Sequence, residues 1–599
     1  MFDRANFADT CSQRANIIEW LPFKKGDAVL VHGSVPSAVE DMLRAKEVQL
    51  QVLSDLQVEK LAANPGKGSL DYILVLGMEV DAKFLSGLYR KLKPEGRLVV
   101  LLHNTFGMSY LAGKPAGKGV YYAAVEGRAG EKSAFYSAKG LERLMSDAGI
   151  SEYQRYYPDP EGEFAVNIYC DLFLPKEGEC KLKPRNITYD RLAMFDETAG
   201  FNRAVQDDMY PVFANDFLII TGKQLPQRMI RYSNDRAAEY QIRTEICEKG
   251  GSLEVRKYPL HPQGAEHVKR MAETYKMLSA QYGRDTFTIV PCAWNGDCAV
   301  FPFEQGVALS ELVKRAMQKG DEQEVFTLFY TFLNKLRAGR QTAFSNYDFV
   351  FSNILIDGDN WKVIDYEWTV NREVSAEELA FRAAYCFSLE HKEFPFADIC
   401  KVLNFDKGKV ERLIQEETRY QQEITGGRTG IETICAEHGG DVYTGSTLLR
   451  ALELSTEDNR VQIYEDSGKG FREERSYFVE HALSRHDEML LLLKVPVGMK
   501  ALRVDPCEEP CLVQIKKLWW NGEEQYLDKE ITVNGLKGKA GKNSYPEYVF
   551  ATKDPGITIS LEKLAEGNES FHELKLQLEI HKISLQLANT LTKSIKRII

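Results

Sequence analysis

The sequence predicts a multidomain fold: an α/β unit on a parallel sheet, then an α+β unit, then an antiparallel β-sandwich with a C-terminal helix. Three observations lead there. The chain has 599 residues, beyond the roughly 250–300 at which a single core stops growing, so three or four domains are expected. Over the first third, apolar runs ending in Gly or Asp alternate with helix-compatible stretches, the rhythm of a parallel sheet covered on both faces. Over the last third, short stretches alternate apolar and polar residues between Gly, Pro and Asn turns, as antiparallel strands do.

Composition narrows the classes. Hydrophobic residues at 44% supply enough apolar surface for sizeable cores, so wholesale disorder is excluded. A net charge of -11 argues against gripping nucleic acid backbones, which takes concentrated Lys and Arg. Neither a signal-peptide core nor an apolar run of about 20 residues is present, which predicts a cytoplasmic protein, with a peripheral place at the inner membrane through partners as the alternative. The closest pair of the eleven cysteines, Cys507 and Cys511, lacks the companions of a zinc site, so reduced structural thiols are expected.

In the first element DAVLVHG ends at Gly33 and leads into SAVEDMLRA; VQLQVLSD ends at Asp55, LDYILVLG at Gly77, and Pro94 to Gly96 is read as a turn into a further buried strand. Ligands of such sheets sit beyond the carboxyl ends of the strands, where Gly33 would admit a phosphate or nucleoside and Asp55 would take ribose hydroxyls. NIIEWLPFKKGDAVLVHG, LKPEGRLVVLL and HNTFGMSYLAG together resemble class I S-adenosylmethionine-dependent methyltransferases, in the variant fused into bacterial surface-polysaccharide proteins. The resemblance runs through YYPDPEGEFAVNIYCDLFLP, so residues 1–180 are assigned to a methyltransferase-like domain. It implies a Rossmann-like fold and S-adenosylmethionine as cofactor. The sequence departs at the cofactor loop: Val31 replaces the acid, Gly33 is the only glycine of three, and Pro36 removes an N–H. Those departures predict a retained scaffold, with residual methyl transfer as the alternative, and His32 and His103 are read as structural.

The second element spans residues 186–403. Its most informative stretch, NYDFVFSNILIDGDNWKVIDYEW, reads as a polar loop, a strand, a tight turn at Asp357 to Asp359 and a strand ending in an acid. Phosphoryl transfer needs a positioned hydroxyl and neutralised charge. Asp348 would orient the acceptor hydroxyl, while Asn353 and Asp365 would hold Mg²⁺. This D-x-x-x-x-N and following Asp resemble those of protein kinases and of aminoglycoside and choline phosphotransferases. The resemblance implies a kinase-like fold and ATP. It places Lys257 of SLEVRKYPL on the nucleotide phosphates, Glu273 (with Glu266 as alternative) as the acid orienting that lysine, and backbone near Glu304 against the adenine. The chain departs from the pattern in lacking a glycine-rich loop before Lys257, where a Gly250–Gly251 hairpin is expected instead, and in having Asn346 where the family has His.

Residues 404–456 read as a helical, then Gly- and Thr-rich connector, residues 457–584 as the sandwich, and residues 585–599 as an amphipathic helix carrying Leu587, Leu591, Ile595 and Ile598. Trp519 and Trp520 are read as core or hairpin residues, with stacking on a sugar as the alternative. The helix spacing suggests self-association. The whole layout resembles dual methyltransferase and kinase proteins that cap O-antigen chains. That implies a transferase of surface-polysaccharide assembly that phosphorylates a sugar hydroxyl. The alternatives are a non-catalytic scaffold for glycosyltransferases and a methyltransferase with an inactive kinase domain.

Overall fold

The computed structural model describes residues 2–598 except 33–34, 65, 67, 117–119, 128–132, 284–285, 341, 445–459, 481–487, 528, 539–544 and 565–569. The chain forms two units, one of Met1–Arg191 with Asp196–Asp441 and one of Leu192–Phe195 with Val442–Ile599.

In chain order the first strands are β1 (Ala28–His32), β2 (Gln49–Leu53), β3 (Leu70–Leu76), β4 (Leu92–Asn104), β5 (Phe135–Tyr136), β6 (Tyr153–Asp159), β7 (Asn167–Cys170) and β8 (Arg191–Ala193). They are followed by β9 (Asp216–Thr221), β10 (Gln227–Ser233), β11 (Ile242–Lys249) and β12 (Ser252–Pro259). Then come β13 (Thr288–Ile289), β14 (Ala293–Trp294), β15 (Ala299–Pro302), β16 (Val307–Ala308), β17 (Ser345–Asn346), β18 (Ile354–Asp357), β19 (Asn360–Val363) and β20 (Thr369–Val370).

Strands β2, β1, β3 and β4 pair in parallel in that order, as the alternating pattern predicts. Alternate residues feed two cores: Leu30, Ile73, Val75, Leu98 and Val100 face one way, and Val29, Val31, Leu74, Val99 and Leu101 the other. That period of two is what a sheet covered on both faces requires. The expected turn at Pro94 to Gly96 is instead an excursion within β4. The register jumps from Leu70↔Leu92 to Tyr72↔Arg97, and a side chain at Gly96 would come within 2.7 Å of the Leu70 carbonyl.

The boundary expected at residues 180–186 runs through a continuous sheet. β9 lies between β4 and β6, antiparallel to both, and β10 pairs with β7. From β10 the sheet continues through β11, β12, β15 and β14, thirteen strands in all. The second element therefore shares its sheet with the first, because long-range pairing of β9 and β10 outweighs their place in the chain. Likewise the helix Lys407–Thr425, expected in a connector, packs Val410, Leu413 and Ile414 against the core of the α+β part.

In the second unit, a five-stranded and a six-stranded antiparallel sheet share one core, which includes Val461, Leu502, Leu491, Val513 and Leu576. Trp520 is buried in it, while Trp519 lies half-buried between Lys517 and Lys575. Leu587 and Leu591 of the helix Leu585–Ile598 pack onto Ile583 and Leu512 of their own unit. The side chains of Ile595 and Ile598 lie outside the described residues. No described helix is long and apolar enough to cross a membrane.

Candidate functional site

The α+β part of the first unit gathers its charged side chains from separate chain segments. The β11–β12 hairpin turns at Gly250 and Gly251, whose φ angles of 61° and 82° suit glycine, and pairs Lys249 with Ser252. That turn is at the far end of the strands from Lys257, which pairs with Thr244, so the Gly250–Gly251 hairpin does not cover the site. β12 points Lys257 inward, where it is buried. Its Nζ lies 2.6 Å from Asp365 Oδ2 and 3.6 Å from Glu367 Oε2. Burial disfavours the ammonium, but Asp365 and Glu367 outweigh it and raise the Lys257 pKa.

The helix Ala265–Gln281 buries Val268, Met271, Thr274 and Leu278. Glu273 and Glu266 fall off that stripe and are exposed, so neither orients Lys257, contrary to the expectation. His267, at helical spacing from Met271 and Thr274, is the residue turned toward the cleft, with Nε2 2.8 Å from Glu367 Oε1.

The loop after β17 carries Asp348. Asn346 accepts the Asp348 N–H at 3.0 Å. One carboxylate oxygen of Asp348 accepts the Trp368 N–H at 2.7 Å. Arg382 braces the loop from beneath: it donates to the Tyr347 carbonyl and grips buried Glu417 with two bonds of 2.7 and 3.0 Å. Asn353, at the end of the turn Phe351–Asn353, donates to the Asp348 carbonyl at 3.2 Å and starts the β18–β19 hairpin that delivers Asp365. Glu304 lies between β15 and β16, where a strand passes into the helical part, but its side chain is held by Lys362 at 2.9 Å.

Lys257, Asp348, Asn353 and Asp365 thus converge, and Glu367 joins them. Burial, then Asp365, then Glu367, push the Asp348 carboxyl up to about 8. Burial would raise Glu367 as well, but Arg236, Lys257 and His267 hold it down at about 2. Among the described residues no group of three or more His, Cys, Asp and Glu side chains is arranged to hold a metal. Mg²⁺ needs less from protein, since it keeps waters and shares phosphate oxygens. Asp365 Oδ1 is buried without a hydrogen-bond partner, the kind of oxygen such a cation would take; Asn353 bonds the Asp348 carbonyl, and its own carbonyl accepts the N–H of Ile364, the residue before Asp365, at 3.0 Å.

Sequence reasoning missed Glu367, His267, Arg236, Arg382 and Glu417. Only the acid two residues after Asp365 and the helical stripe through His267 were signals available beforehand.

The parallel half is arranged differently. Gly33 lies outside the described residues. Asp55 does sit just beyond β2, but its carboxylate is 3.3 Å from Nδ1 of buried His32, whose Nε2 lies 2.9 Å from the Leu76 carbonyl. The imidazole therefore lies across the carboxyl ends of β1 and β3, where a nucleoside would enter. Among the described residues, Val31 is fully buried and Pro36 leads directly into the helix Ser37–Ala45, so neither supplies the acid or the backbone N–H that S-adenosylmethionine would take there. His103, at the end of β4, pairs at 2.6 Å with buried Asp216.

No protein-family model matches the chain, and no curated protein matches it significantly. Among solved structures it is similar to Haemonchus contortus phospholethanolamine N-methyltransferase 2 in complex with phosphomonomethylethanolamine and S-adenosylhomocysteine. Identity is 13% over 37% of this chain and 60% of that one, with a TM-score of 0.19. The chain thus spans less than two thirds of that enzyme's length. It is also similar to APH(2″)-IIa with streptomycin and ATP, at 12% or less identity. The ternary complex matches at 11% over 32% of this chain and 90% of that one, and the gentamicin complex at 12% over 32% and 92%, both with a TM-score of 0.16. At such scores the chemistry rests on the side chains described above.

Proposed function

We propose that the α+β part of the first unit is a phosphotransferase that moves the γ-phosphoryl group of ATP to an acceptor hydroxyl. The observation that carries this reading is the meeting of Lys257, Asp348, Asn353 and Asp365 in one cleft, from segments up to 108 residues apart. In its ionised form, which the charge of a bound cation beside it favours, Asp348 accepts the hydroxyl proton as the acceptor oxygen bonds to phosphorus and the bond to the β-phosphate oxygen breaks, releasing ADP. Lys257 neutralises phosphate charge. Asn353 and Asp365 are the residues that would hold Mg²⁺, which supplies charge neutralisation at the phosphates when bound. Arg382 and Glu417 keep the Asp348 loop in place.

The acceptor is read as a sugar hydroxyl of a bacterial surface polysaccharide. Support comes from the fused parallel-sheet half and from a second unit that keeps Trp519 at its surface beside two lysines. The parallel half is read as a scaffold, since His32 lies across its crevice. ATP, Mg²⁺ and polysaccharide acceptors are the assay: acceptor phosphorylation by the wild type and none by Asp348→Ala supports the reading, and equal behaviour of the two overturns it.

One observation favours a second reading, a nucleotide-free scaffold that docks glycosyltransferases: Lys257 and Asp365 are paired with each other. That scaffold would show no calorimetric heat with MgATP.

A further inference from the structure

Lys257 has two carboxylates to choose from, and they differ in freedom. Asp365 is partly exposed, keeps an unpartnered buried oxygen and, on the phosphotransferase reading above, is a metal ligand. A carboxylate committed to a divalent cation no longer balances the lysine. Glu367 is buried and its oxygens are divided: Oε1 receives Arg236 at 2.6 Å and His267 at 2.8 Å, while Oε2 faces Lys257 at 3.6 Å. Two cation-capable groups thus fix the carboxylate from one side and leave its other side to the lysine.

The supports of Glu367 are themselves held. Arg236 comes from residues 234–241, the connection from β10 to β11. It emerges at the Lys257 end of the sheet, because Ile242 pairs with Pro259 and Thr244 with Lys257. Asn234 accepts from the Asn16 amide at 2.9 Å, Asp235 from Gln13 at 3.3 Å, and the Ala237 N–H donates to the Ile424 carbonyl at 2.8 Å. The Arg236 guanidinium also lies over the Trp368 ring at 5.0 Å. Where a mobile glycine-rich loop is missing, a pinned loop drops an arginine onto Glu367.

We propose that Glu367 is the positioning residue of Lys257, keeping the ammonium in the cleft when Asp365 turns to its metal, with Arg236 and His267 fixing Glu367. It does the work that an acid on the helix Ala265–Gln281 was expected to do.

Steady-state ADP release and MgATP calorimetry on the full chain test this. Losing a charge-assisted contact predicts that Glu367→Gln raises the KM and Kd for MgATP by about tenfold to a hundredfold, with kcat kept within about threefold. Glu273→Gln should match the wild type, and Asp348→Asn should lose kcat while keeping MgATP affinity. Because Glu367→Gln removes a buried charge and risks misfolding, His267→Leu and His267→Gln form a second pair. Leucine should raise KM, and glutamine, which still donates to Glu367, should restore it. Wild-type MgATP affinity in Glu367→Gln, or in His267→Leu if the first variant does not fold, overturns the proposal. Absence of MgATP binding by the wild type overturns the phosphotransferase reading instead.

Discussion

The two halves of the first unit both set basic side chains against acids at strand ends, and they settle the charge differently. In the parallel half Asp216, Glu161 and Asp55 each face a basic side chain. Asp216 takes His103 at 2.6 Å and the Gly162 N–H at 2.7 Å, and buried Glu161 takes Lys114 at 2.6 Å. His32 lies between Asp55 and the Leu76 backbone. In the α+β half three carboxylates crowd one cleft, one of their oxygens has no partner, and Asp348 is pushed up to about 8 by burial and by its acidic neighbours. The difference teaches that a buried polar network closed on itself reads as architecture, whereas one left short of positive charge reads as a place prepared for a cation and phosphates.

Asp348 is where that comparison breaks most visibly. Replacing it with Asn should cut acceptor phosphorylation by about a thousandfold, the usual scale for removing a positioned proton acceptor. A radiolabelled-ATP assay checks this; a loss under tenfold would make the cleft as inert as its neighbour. Lys257→Ala leaves Asp365 and Glu367 without their lysine. It should weaken MgATP binding by about tenfold to a hundredfold by calorimetry, since a charge-assisted contact is lost.

The raised Asp348 carboxyl carries a pH signature. Its folded value of about 8 exceeds the roughly 3.9 of an unfolded aspartate, so between these values the folded chain holds the extra proton and stability falls as pH rises. Asp348→Asn removes that dependence. Urea unfolding should show the variant gaining about 2 kcal/mol or more on the wild type between pH 5 and pH 8. A constant gap would mean that the carboxylates are not crowded in solution.

The smallest signal is expected from the parallel half. S-adenosylmethionine titrated to millimolar concentration should give no binding heat. Micromolar affinity would show the crevice open despite His32, and the contrast between the halves would fall.

How much of this was legible beforehand follows from sequence separation. Asp348, Asn353 and Asp365 share one short stretch whose local geometry a loop, a hairpin and an acid spell out. Lys257 was placed by the resemblance to kinases and phosphotransferases. Glu367 was not, because its partners Arg236 and His267 lie 131 and 100 residues away and only the assembled fold brings them to it. Glu273 was misplaced by one choice of helical face, although Val268, Met271, Thr274 and Leu278 already marked the buried stripe. The shared sheet was hidden for the same reason as Glu367: β9 returns across more than a hundred residues to pair with β4.

The central claim is that the cleft binds MgATP and uses it through Asp348. Calorimetric titration of MgATP into the wild type and Asp348→Asn, followed by ADP release with acceptor on the same samples, tests it most directly. Saturable heat in both proteins with ADP release in the wild type alone is the predicted result. No heat in either, or equal ADP release from both, would contradict it.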